Sequence, residues 1–124
     1  MEVSGQIQFT VTSQTPDEVV SEMPIQPGVL NPYGTVHAGA TLWFADVTAT
    51  LLVLAGVETS AGMKGFPLAI NLSANLAGNA REGKFIARST YVKRGQSVSI
   101  VRTTVSDAAG KLIADVTTSH VASR

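Results

Sequence analysis

Residues 38–57 read AGATLWFADVTATLLVLAGV, a run whose single charged side chain, Asp46, stands near the middle. A stretch this long and apolar is either a membrane span or a helix enclosed by its own protein. An acid at the centre of a spanning helix costs about 2.5–3.5 kcal/mol. Thr41, Thr48 and Thr50 weaken a span further, and strand-like sequence lies on both sides. A helix buried inside a soluble protein is therefore expected, with no membrane as partner. Gly56 stands where such a helix stops.

Working outward, residues 5–12 (GQIQFTVT) alternate Ile7, Phe9 and Val11 with polar side chains, the mark of a strand. Thr15-Pro16-Asp17 breaks it, and residues 18–25 form a weaker strand candidate. Residues 26–36 are loop-like, with Pro27, Gly28, Asn31, Pro32 and Gly34 in quick succession. Beyond the helix, residues 58–65 read as loop and everything after them as strand. In residues 66–76 the expectation is that Leu68, Ile70, Leu72, Ala74 and Leu76 share one face. Residues 84–93, 97–106 and 111–121 follow, the last with Leu112, Ala114 and Val116 in alternation, separated by turns at 78–83, Arg94-Gly95-Gln96 and Asp107-Ala108-Ala109-Gly110.

One or two strands, one long helix and four strands on short turns predict an antiparallel meander. A helix apolar nearly all round needs cover on most of its circumference. The economical answer is an α+β architecture, a curved antiparallel sheet wrapped around one central helix. A doubly wound fold would need more helices than the chain supplies.

Composition narrows the function. The 124 residues carry nine Lys plus Arg against nine Asp plus Glu, so the net charge is 9 − 9 = 0; only 15% are charged, 44% are hydrophobic, and none is Cys. Such a chain is not disordered, and its length suits one domain spanning residues 1–124. Disulfides, thiolate zinc sites and cysteine nucleophiles are excluded. Nucleic acid is a poor partner for a neutral protein. A neutral surface with few charges tends to self-associate, so the protein is either poorly soluble or built to associate as a homo-oligomer. Residues 1–5 lack the basic region and apolar run of a signal peptide, so the cytoplasm is the expected compartment.

The chemistry concentrates at Asn31-Pro32-Tyr33-Gly34-Thr35-Val36-His37-Ala38-Gly39-Ala40, where the loop meets the helix. A helix N-terminus offers unpaired N–H groups and partial positive charge, suited to polarising a carbonyl and holding an oxyanion. Asp46 lies about two turns in, with Thr50 one turn beyond on the same face. A carboxylate there can serve as general base or nucleophile.

Asn31, His37, Gly39 and Asp46, with the apolar Leu42, Trp43, Phe44 and Ala45 between, resemble the helix-start motif of hotdog-fold acyl-CoA thioesterases. The nearest types are the phenylacetate-pathway enzymes and their 4-hydroxybenzoyl-CoA thioesterase relatives. That motif reads Asn, six positions on His-Gly-Gly, then an acid nine positions after the His; Asn31, His37 and Asp46 keep both spacings. The resemblance extends from about Gly28 onward and includes the turns around Arg94-Gly95-Gln96 and Gly110-Lys111-Leu112.

The resemblance implies hydrolysis of an acyl- or aryl-CoA thioester to free acid and CoA, with no cofactor and no metal. It makes Asp46 the catalytic carboxylate, as general base or nucleophile, with Thr50 positioning it or the water. The N–H of Ala38, with Gly39, would polarise the thioester carbonyl, and Asn31 would orient the thioester or the water. The site is implied to lie between two subunits, Asp46 from one and the helix start from the other, in dimers that pair further. His37, Arg94 and Gly95 are candidates for substrate binding, the last two at the CoA phosphates. Ala38 departs from the family glycine, which matters if that position needs positive φ or close approach of the ligand.

Other readings stand beside these. Asp46 can be a structural acid, Asn31 a turn residue, Thr50 a hydroxyl bonded back to its helix, and His37 a residue that only orients the loop. Most of Arg81, Lys84, Arg88, Lys93 and Arg94 read as solvated strand and turn residues. His120 reads as an ordinary sheet residue, and neither histidine has a companion at metal-ligand spacing. Ser60, Ser73 and Ser97 lack a nucleophile-elbow context. The alternative functions are a non-catalytic acyl-CoA-binding module, favoured by Ala38, and an enoyl-thioester hydratase.

Overall fold

The apolar run forms helix α1, Ala38–Val53, in the computed structural model, which describes residues 2, 5–55 and 66–122. The expected stop at Gly56, the loop over residues 58–65 and Ser60 lie outside the described residues. Ala and Leu supply seven of the sixteen residues of α1 and favour the helix, and burial of its apolar surface against the sheet adds the tertiary packing that holds a helix of this length. Its inward face carries Ala40, Ala45 and Ala49, whose small side chains let the helix approach the sheet closely, together with the fully buried Phe44 and Leu52. No described helix is long and apolar enough to cross a membrane.

Six strands form one sheet: β1 Thr10–Gln14, β2 Glu18–Pro24, β3 Pro67–Leu76, β4 Lys84–Lys93, β5 Val98–Asp107 and β6 Leu112–Ala122. Their spatial order is β1-β2-β4-β5-β6-β3, antiparallel throughout. The helix touches all six strands, so the sheet wraps it as the sequence predicts. Met23, Val29, Val36, Phe44, Phe85, Val105, Ile113 and Val116 make the main core. At the far end of the helix Val19, Ala49, Leu52 and Val101 make a second cluster.

The expected meander holds only for β4, β5 and β6. β3 pairs with β6, and β2 takes the free edge of β4, joined also by the Lys84–Glu22 and Arg88–Glu18 ion pairs at 3.0 and 2.9 Å. Three strand spacings, roughly 14 Å, separate β3 from β4. The connection of residues 77–83 can span about 23 Å when extended, so it crosses the sheet end instead of turning back.

Three local expectations change as well. The first strand begins at Thr10 rather than Gly5. Residues 5–9 leave the sheet because Gly5 lies against the Gly28 backbone and Phe9 packs on Trp43 and Phe44, ring centroids 5.0 and 5.2 Å away. In β3 a bulge between Ala69 and Asn71 breaks the single apolar face: Leu72, Ala74 and Leu76 pair with the inward Thr118, Val116 and Ala114, whereas Leu68 pairs with Val121 on the other face. In β6 an irregularity opposite Val105 and Ser106 turns Ile113 inward and leaves Leu112 45% exposed.

The expected hairpin at Gly110 forms. Asp107 Oδ1 accepts hydrogen bonds from Ala109 N and Lys111 N, and Gly110 supplies the φ of +89° that closes the turn.

Candidate functional site

The loop before α1 is built by its own side chains. Asn31 Oδ1 accepts from Tyr33 N at 2.9 Å and Thr35 N at 3.2 Å, while its amide donates to Thr35 Oγ1 at 2.8 Å. Asn31 is thus the turn-maker here, with one amide N–H left over. Asn79, in the connection after β3, then grips the buried Val36: it accepts from Val36 N at 3.1 Å and donates to Val36 O at 2.9 Å. Sequence reasoning missed Asn79, because its partner lies 43 residues away.

His37 is the N-cap. Its Nδ1 accepts from Ala40 N at 2.9 Å. With Ala40 N and Thr41 N both bonded to His37, the N–H groups of Ala38 and Gly39 find no acceptor among the described residues, and both residues are exposed. Ala38 does not adopt positive φ, so its methyl group brings no backbone strain. A side chain on Gly39 would stand 3.2 Å from His37 Nδ1, so glycine keeps the capping ring unobstructed. An open cleft of about 370 Å³ runs beside this helix start, lined by Leu30, Asn31, Pro32 and His37 with Gly5, Ile7 and Gly28.

Asp46 lies on the helix face that the sheet leaves half-covered, with Leu42, Thr50 and Val53. Its Oδ1 is buried and without a hydrogen-bond partner. An unpaired buried acceptor costs about 1–3 kcal/mol, and native structures keep few. Thr50 does not reach this carboxylate; its hydroxyl bonds back to the Asp46 backbone oxygen at 3.0 Å. Within one chain, eight residues separate Ala38 from Asp46, a rise of roughly 12 Å. One reacting carbonyl cannot touch both.

His120 departs from its expected role as an ordinary sheet residue. It lies on the inner face of β6, 1% exposed, its Nε2 2.8 Å from Thr118 Oγ1 and its Nδ1 unpartnered. Burial pushes its pKa below the ordinary histidine value, and the negative charge of Asp46 opposes that shift. The only sequence signal was its alternation with Val116 and Thr118.

Arg94 and Gly95 are not at the helix start. They flank a second cleft with Pro16, Leu52, Tyr91 and Ser99. Leu52 stands fifteen residues beyond His37, roughly 22 Å along the helix. The Arg94 guanidinium bonds Pro16 O, lies 3.6 Å from Asp17 and covers the Tyr91 ring at 4.3 Å. Gly95 is required by its own turn, since a Cβ there would fall 2.1 Å from Val98 O. Arg81, by contrast, reaches over the Asn31–Thr35 turn; its Nη1 lies 3.4 Å from where a Cβ on Gly34 would stand. Among the described residues no cluster of His, Asp and Glu has the arrangement to hold a metal ion.

No protein-family model matches the chain, and no curated protein sequence does. Solved structures do. A variant of the Staphylococcus aureus thioesterase SAV0944 superposes with a TM-score of 0.84 at 22% identity, over 94% of this chain and 93% of that one. Thioesterase HI1161 of Haemophilus influenzae gives 0.81 at 19% identity, over 92% and 77%. A hypothetical thioesterase of Streptococcus pneumoniae solved with coenzyme A gives 0.82 at 15% identity, over 97% and 92%. The fold is therefore the hotdog fold.

Proposed function

We propose that this chain hydrolyses a thioester, and more narrowly an acyl- or aryl-CoA thioester. The observation that carries the reading is the unpartnered, buried carboxylate oxygen of Asp46 on an otherwise apolar helix. A group kept at a cost to stability is a functional candidate. The thioesterases with which the fold superposes, one of them holding coenzyme A, support the substrate class.

In this reading the site takes two copies. Asp46 of one copy accepts a proton from water as the water oxygen attacks the thioester carbon, or attacks that carbon itself. The oxyanion accepts hydrogen bonds from Ala38 and Gly39 N–H of the other copy, at a helix start whose dipole favours negative charge. An oxyanion donor contributes about 2.7–4 kcal/mol. In the first route breaking the C–S bond releases CoA thiolate, which takes the proton from Asp46. In the second it leaves an acyl anhydride on Asp46, which water hydrolyses to the free acid and the free carboxylate, one proton of the water going to the thiolate. The 12 Å rise from Ala38 to Asp46 supports this division of labour. So does β3, whose outer edge has no neighbouring strand among the described residues, while Leu68, Ile70, Leu72 and Leu76 are 39–60% exposed.

The binding-only alternative draws support from Ala38; the absence of positive φ there takes away the backbone-strain part of that support, and close approach of the ligand is what the assay weighs. The test is thiol release from a panel of acyl- and aryl-CoA esters, comparing wild type with Asp46→Ala. Wild-type release that the variant lacks is the expected result; equal release by both removes Asp46 from the mechanism.

A further inference from the structure

Two buried side-chain polar atoms among the described residues have no hydrogen-bond partner, Asp46 Oδ1 and His120 Nδ1. Two orphans on elements that pack together are a different matter from one. The helix carrying Asp46 packs against β6, and His120 is on the inner face of that strand with 1% exposure. Its strand neighbours at the same level are Ala69 on β3 and Ser99 on β5, neither titratable. Asp46 is the one group whose charge acts on the ring.

We propose that His120 is a positioning residue for Asp46, a neutral imidazole whose Nδ1–H is the hydrogen-bond donor that holds the carboxylate through one water. The inference rests on reading Asp46 as the catalytic carboxylate. Thr118 accommodates this tautomer: its hydroxyl, 2.8 Å from Nε2, is able to donate there, with the ring proton on Nδ1. The neighbouring carboxylate favours the same choice, because a lone pair facing it would be repelled. The neutral form is the useful one. It orients the carboxylate without neutralising it, so Asp46 keeps its capacity to accept a proton. Burial holds the ring in that form through the neutral pH range.

The test reads the ring itself. The chain has two histidines, so the His120 nitrogens are assigned by ¹⁵N NMR against His37→Asn, which retains a capping side chain. The expected spectrum shows Nδ1 protonated in the neutral ring, and Asp46→Asn moves both nitrogen shifts and lowers the titration midpoint. An Nε2-protonated ring, or signals indifferent to Asp46→Asn, overturns the proposal. In thiol release, His120→Gln is expected to lower kcat by about 10-fold to 100-fold with KM little changed, as for a misplaced catalytic group. Full kcat in a folded His120→Gln protein also overturns it. Should wild type release thiol from no ester, the hydrolase reading fails while the NMR arms still decide the pair.

Discussion

Function and stability are coupled at Asp46 and separate at Ala38. Leu42, four residues before Asp46, shares its helix face, so Asp46→Leu places an apolar group among apolar neighbours. It also removes the carboxylate proposed to hold His120 Nδ1–H and leaves that buried donor unpaired, at a cost of about 1–3 kcal/mol. The expected outcome is a Tm lower by about 4 °C per kcal/mol, measured by calorimetry, with thiol release lost. Ala38 allows the complementary change. It is the first helical residue, where proline is tolerated, and His37 before it already has the extended backbone that proline demands (φ −70°, ψ 142°). Ala38→Pro deletes one exposed N–H with little effect on folding; the expected loss is about 10²–10³ in kcat.

At the scale of elements, the helix start is held from outside the helix. Asn79 supplies both hydrogen bonds to the Val36 backbone from its side chain, and Val36 N also meets Ala80 O at 3.3 Å. Asn79→Ala leaves the buried Val36 carbonyl unpaired, at an expected cost of about 1–3 kcal/mol in urea unfolding. Because the connection also sets the angle at which α1 begins, its thiol release should fall as well. Strand β6 carries a pH dependence. His120 has a folded-state pKa below its ordinary 6.5 because it is buried, Asp46 opposing the shift. Between the folded and unfolded values the unfolded chain binds more protons, so stability is full above about pH 6.5 and falls as pH drops through the folded-state value. Denaturation midpoints compared at pH 7.5 and 5.5 should fall for wild type and change less for His120→Gln.

At the scale of the whole molecule, the proposed second copy rests on the exposed apolar side chains of β3 and on the roughly 12 Å between Ala38 and Asp46. An edge strand with apolar side chains and no covering element is otherwise an aggregation hazard. Ile70→Glu combined with Leu72→Glu should give a folded monomer by sedimentation, and no thiol release. Mixing subunits tests the shared site directly. Asp46→Asn and Ala38→Pro chains, each inactive, should recover about a quarter of wild-type activity when unfolded and refolded together, since half the dimers are mixed and each holds one intact site of two. No recovery from verified mixed dimers would place both functional groups in one subunit's site.

The chain's own periodicity was enough to determine the helix from Ala38, the bounds of β4, and the remaining strands after the helix to within a residue. Asp46 stood out for the same reason, as one charge in an apolar run. These features follow from hydrogen bonding and burial over two to four residues, which local sequence encodes. Tertiary structure alone decided that β3 joins β6 and that bulges turn Leu68 away and Ile113 inward. It also placed His120 beneath the helix that carries Asp46. Each of these depends on which distant backbone offers a partner. Pairing across 43 residues in one case leaves no trace in the neighbours of either residue.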